Sequence, residues 1–147
     1  MHRILPSAQA LAVATALTLV LAGCAADPAE SAVGVNALMA DPAAFVGEIA
    51  IAGVVQDVSP DSSAIALIDA DEYETCGLTP CASAGVLPLY VPTSGQPAPS
   101  GAVYEGTPPP LEDHVVVIGT VRSGDSGLYF DVERIDRGSS TIITRQR

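Results

Sequence analysis

The chain has no tryptophan and no lysine, and only two phenylalanines and four tyrosines. Rings this scarce (Phe45, Tyr73, Tyr90, Tyr104, Tyr129 and Phe130) exclude the stacking platform on which single-stranded nucleic acids are held. Basic residues are few as well, 6 against 17 acidic ones. A net charge of −11 repels a phosphate backbone, so no nucleic acid is expected as a partner. The same field opposes direct docking on anionic lipid headgroups. There are two histidines, His2 and His114, and neither sits in a recognisable triad motif. No glycine-rich phosphate loop and no HExxH helix is present. The residues therefore indicate no enzyme and no cofactor.

What the chain does have begins at its start. His2 and Arg3 precede a long apolar run, which ends in Leu21-Ala22-Gly23-Cys24. A basic start, an apolar middle and small residues before a processing point make a secretory signal. The apolar run is shorter than the roughly 20 residues of a spanning helix. The closing tetrapeptide resembles the lipobox of bacterial lipoproteins. The resemblance implies that the Cys24 thiol takes a diacylglyceryl group and that residues 1–23 are then removed. The domain would be membrane-anchored through its lipidated N-terminus, in the cell envelope, facing the periplasm or the cell exterior. Several acyl chains, at about 0.8 kcal/mol per buried methylene, anchor such a domain durably. Ala25, after the cysteine, leans toward the outer membrane where two membranes exist. An uncleaved anchor and an ordinary signal with a chance cysteine are the competing readings. Losing Arg3 with the signal makes the mature chain one unit more negative.

Residues 24–34 read as a lipidated N-terminus and a small, polar tether. Residues 35–46 carry Val35, Leu38, Met39, Phe45 and Val46 and read as one or two helical turns, with Asn36 as N-cap and Asp41-Pro42 as an interruption. From Glu48 the apolar period becomes two, and Gly53 marks a bend or bulge in a long first strand. Ser59-Pro60-Asp61-Ser62-Ser63 is turn chemistry, leading into a second strand from Ala64 to Asp69. Asp69 to Gly85 reads as a loop. Val86 to Val91 is a third strand, placed at an edge by Pro88, which has no N–H for a ladder. Residues 93–112 are rich in proline and glycine and read as an exposed insertion. His114 to Val121 and Leu128 to Ile135 are strands four and five, joined through the turn at Ser123–Gly127. Residues 138–147 form a tail that frays or adds a short edge strand.

The expected fold is thus all-β. It is a small five-stranded barrel resembling the oligonucleotide/oligosaccharide-binding (OB) fold over residues 35–137. A short N-terminal helical segment stands as its plug, and the Pro/Gly-rich insertion lies between strands three and four. Asp41-Pro42, Phe45-Val46-Gly47-Glu48, Gly53-Val54-Val55, Ala66-Leu67-Ile68-Asp69 and Gly119-Thr120-Val121 together resemble periplasmic OB-fold proteins. The nearest family is the haem chaperone of cytochrome c maturation. That family holds haem through a histidine after the last strand. This chain has no histidine beyond His114, so the resemblance implies architecture and not haem carriage.

With Cys24 acylated, Cys76 and Cys81 remain. A pair in an oxidising compartment points to a disulfide, and Gly77 and Pro80 favour the tight loop it needs. Reactive thiols would need basic neighbours, whereas Asp69, Asp71, Glu72 and Glu74 are acidic. As a metal site, Cys76 and Cys81 need further ligands, for which His114 is the candidate. The run Asp69–Glu74 offers oxygen ligands but lacks the glycine and spacing of a calcium loop. It reads as a solvated acidic segment, and His114 beside Glu112 and Asp113 as a surface group. The expected function is a non-enzymatic binding or interaction module, with an envelope protein or small ligand as partner. The alternative is a metal- or redox-handling envelope protein using the Cys76/Cys81 loop.

Overall fold

The computed structural model describes residues 29–59, 64–79, 81, 85–90, 100–124 and 127–147. The lipobox with Cys24, the turn at 60–63 and the first part of the insertion lie outside them. The described elements are β1 (Val33–Gly34), α1 (Val35–Ala40), a 3-10 turn (Pro42–Ala44), β2 (Glu48–Ser59) and β3 (Ala64–Ile68). They continue with α2 (Ala70–Cys76), β4 (Val86–Tyr90), β5 (Tyr104–Gly106), β6 (His114–Gly124), β7 (Gly127–Arg137) and β8 (Ser140–Arg145).

One eight-stranded sheet runs in the order β4-β3-β2-β6-β7-β8-β5, with β1 paired to β2 off this path. Every ladder is antiparallel except the parallel β1–β2 pair. β2 is the common member. β6 takes one of its edges from Glu48 to Val54. The other edge is shared, β1 lying along Ile51 and Ala52 and β3 along Val54 to Ser59. The sheet curls until β4 lies against β7. No ladder joins those two strands among the described residues, so the sheet stays open.

All-β is the observed class, but the expected five-stranded barrel is corrected to an open sheet of eight strands. The five expected strands are present as β2, β3, β4, β6 and β7. The additional ones are short pieces that the apolar period does not announce. The part of the expected exposed insertion that is described contains β5, where Tyr104 is buried, as is Ala102 before it. The expected tail contains β8, whose Ile143 is 1% exposed. β8 is not an edge, because β5 pairs outside it.

Packing explains the local choices. α1 sends Val35 and Leu38 into the core cluster with Ile51, Leu67, Leu89 and Val117. Each such side chain contributes roughly 1.5–3 kcal/mol by leaving water. At Gly53 the side chain of Val35 on α1 packs tightly on β2. A Cβ there would stand 3.0 Å from Val35 Cγ2 and from the Ile68 carbonyl oxygen. The irregularity expected at Gly53 falls instead between Val55 and Asp57 in the β2–β3 ladder. Pro88 is exposed on β4, at the end of the sheet path, where a missing N–H breaks no ladder.

Candidate functional site

The cysteine loop is built from Asp69 onward. Asp69 follows β3 in extended geometry, and its Oδ1 accepts the Asp71 N–H at 3.1 Å. That is an N-cap, and Asp71 and Glu72 in the first turn suit the positive end of the helix. The expected loop therefore begins as the helix α2. Thr75 Oγ1 donates to the Asp71 carbonyl at 3.0 Å. Gly77 ends the helix at φ 67°, a left-handed geometry that suits glycine, and its N–H donates to the Tyr73 carbonyl at 2.8 Å.

The turn at Gly77 sends the chain back along α2. Cys76 and Cys81 come to disulfide distance, with Cα atoms 5.9 Å apart. Two hydrogen bonds hold the loop independently of the sulfurs. Gln56 Nε2 on β2 donates to the Leu78 carbonyl at 3.1 Å, and the Cys81 N–H donates to Glu72 Oε1 at 2.8 Å. The opposite Asp69 oxygen, Oδ2, accepts the Asn36 N–H of α1 at 3.0 Å. Asn36 is thus not the expected N-cap of α1, whose cap position is Gly34. Its Oδ1 accepts the Gly85 N–H at 3.1 Å instead. Asp69 and Asn36 so fasten both ends of the cysteine segment to the first helix.

The donor atoms of Glu72, Cys76 and Cys81 lie within 4.8 Å of one another. Glu72 is the residue that sequence reasoning missed. Its signal is its place one turn before Cys76, which matters only once α2 is known to be a helix. His114, the candidate third ligand, is not in this group. It lies edge-on to Tyr73, with ring centroids 6.0 Å apart and planes at 86°. The acidic run Asp69–Glu74 is a cap and a helix rather than a loop.

The arginines among the described residues are engaged elsewhere. None stands between Arg3 and Arg122. Arg122 and Arg145 lie 3.4 and 3.1 Å from the two oxygens of Asp131, which is 8% exposed. Arg145 and Arg147 also approach Glu133, at 3.8 and 3.7 Å. Arg134 pairs with Asp136 at 3.0 Å and Arg137 with Asp113 at 2.9 Å. This group joins β6, β7 and β8 electrostatically. Beside it the Tyr104 hydroxyl donates to the Val132 carbonyl at 2.7 Å. Burial pushes the Tyr104 pKa up to about 12, with Arg145 opposing and Asp131 and Glu133 adding to the rise.

The arrangement can do two things chemically. Oxidised, the cysteine pair closes a pinned loop behind the acidic helix α2. Reduced, it offers two thiols and a carboxylate in one place. No protein-family model matches the chain, and no match was found among curated proteins or solved structures.

Proposed function

We propose that the chain is an extracytoplasmic lipoprotein, anchored through acylated Cys24, whose domain is a non-enzymatic binding or interaction module. The working face is the segment from Asp69 to Gly85, and the partner is an envelope protein or a small ligand. One observation carries the reading of the face. The described part of this segment is fixed by the Asp69 caps, the Gln56–Leu78 bond and the cysteine pair, yet Asp71 and Glu74 of α2 are exposed. A polar surface held this firmly binds with little ordering cost. A cysteine pair at disulfide distance also suits an oxidising compartment. The path β4-β3-β2-β6-β7 supports an OB-like order for the central strands within the larger sheet.

The test is a native mass spectrum of the protein taken from membranes, with and without thiol alkylation. The expected result is a lipid-sized addition at Cys24 and no alkylation at Cys76 or Cys81. An unmodified Cys24 on a chain that still carries residues 1–23 overturns the lipoprotein reading. For the working face, Asp71→Asn with Glu74→Gln is expected to abolish partner capture by envelope extracts while the far-ultraviolet spectrum stays native. Undiminished capture moves the face elsewhere. Deleting residues 93–110 is not a clean alternative, because it removes Tyr104 and β5 from the sheet.

A further inference from the structure

Glu72 and Cys76 stand one helical turn apart on α2, so their side chains leave the same face. Cys81 returns to that face through its N–H bond to Glu72 Oε1. A tetrahedral cation with sulfur at about 2.3 Å and carboxylate oxygen at about 2.0 Å spreads neighbouring ligand atoms by roughly 3.5–3.8 Å. The three donor atoms here lie within 4.8 Å of one another, so small side-chain adjustments bring them round one ion. The geometry points to a redox-gated site for a soft divalent cation of the zinc type, with Cys76 Sγ, Cys81 Sγ and a Glu72 oxygen as protein ligands. Water completes the tetrahedron. This goes beyond the lipoprotein reading and does not depend on it.

Three features favour the site. Two thiolates select a soft ion over calcium or magnesium. With both thiols deprotonated on binding, the donor set is trianionic, and no lysine or arginine stands between Arg3 and Arg122 to compete with a cation nearby in sequence. A divalent cation offsets two of those three charges, and the exposed Asp71 and Glu74 add to the field that draws it in. Finally, the Cys81 N–H fixes the carboxylate, as outer hydrogen bonds commonly do for metal ligands. The loop does not need the sulfur–sulfur bond to keep its place, since Asp69 and Gln56 hold it from outside.

A dithiol reductant gives two electrons and two protons to the Cys76–Cys81 disulfide and closes its own disulfide. The protein gains two thiols. Binding of the cation then releases both thiol protons. The metal replaces a covalent crosslink with a coordinate one at the same place.

Cadmium serves as probe, because thiolate ligation gives an ultraviolet charge-transfer band. The full chain carrying Cys24→Ala is reduced in detergent without oxygen, freed of reductant and titrated with Cd²⁺. One ion per chain with the band is expected, and no band in the oxidised protein. Glu72→Gln keeps an acceptor for the Cys81 N–H, so the loop persists, and it is expected to weaken binding at least tenfold. Cys76→Ser with Cys81→Ser is expected to abolish the band. The inference is overturned if Glu72→Gln binds as tightly as the parent. It is equally overturned if the reduced parent shows no band, or loses its native far-ultraviolet spectrum on reduction.

Discussion

Asp69 accepts a backbone N–H from each of two helices, one oxygen to Asn36 and the other to Asp71. Each cap of this kind is worth about 1 kcal/mol. Asp69→Ala is therefore expected to cost about 2 kcal/mol in urea unfolding, and Asp69→Asn about half of that, since one amide oxygen remains. Gly34 belongs to the same contact, because a Cβ there would collide with the Asp69 carboxylate. Tyr104 makes a different case. Its hydroxyl is the donor to a buried carbonyl, so Tyr104→Phe should cost about 1–2 kcal/mol. Its ionisation also sets a pH dependence. The folded protein keeps the Tyr104 proton up to about pH 12, whereas the unfolded chain loses it near its ordinary value of 10.0. The unfolded state then binds fewer protons, and stability falls as pH rises through that window. Thermal melts between pH 9 and 12 should show this fall, and Tyr104→Phe should flatten it.

At the scale of the element, the long strands were legible and the short pieces were not. β2, β3, β4, β6 and β7 carry enough alternating apolar residues to declare themselves, and Pro88 places β4 at an edge by its chemistry alone. α2 buries no residue, so it has no apolar stripe to read. Its cap was readable: Asp69 followed by Asp71 and Glu72 and closed by Gly77 is helix punctuation, hidden within what composition presents as an acidic loop. β5 is three residues and β8 carries only Ile142 and Ile143, so neither has a period. β8 is held on β7, and β5 in turn on β8. The cysteine pairing was legible from spacing and from the expected oxidising compartment. Glu72 was not, because its approach to the sulfurs depends on a helical turn that the sequence reading lacked. His114 is the exposed surface group its acidic neighbours suggest; residue type alone also makes it a candidate ligand, but its ring lies edge-on to Tyr73. The disulfide itself has a modest expected weight. Its loop is so short that Cys76→Ser with Cys81→Ser should cost about 2 kcal/mol by chain entropy. The midpoint of urea unfolding should move accordingly, with α2 retained by Asp69.

For the whole molecule, the last strand is part of what closes the core. Ile143 lies in the central cluster, β5 has β8 as its ladder partner, and Arg145 is one of two cations beside the buried Asp131. A chain ending at Arg137 would lose all three together. It is expected to lose cooperative unfolding, seen as a broad, featureless melt by circular dichroism. A chain that melts as sharply as the parent would mean that β8 only decorates the sheet. The opposite end carries a consequence of another kind. β1 enters the sheet at Val33, close behind the proposed lipid on Cys24. Even fully stretched, that stretch of backbone spans only about 30 Å. With that lipid in place the domain would be on a short leash, patrolling a thin shell above the bilayer and meeting only what comes down to that surface.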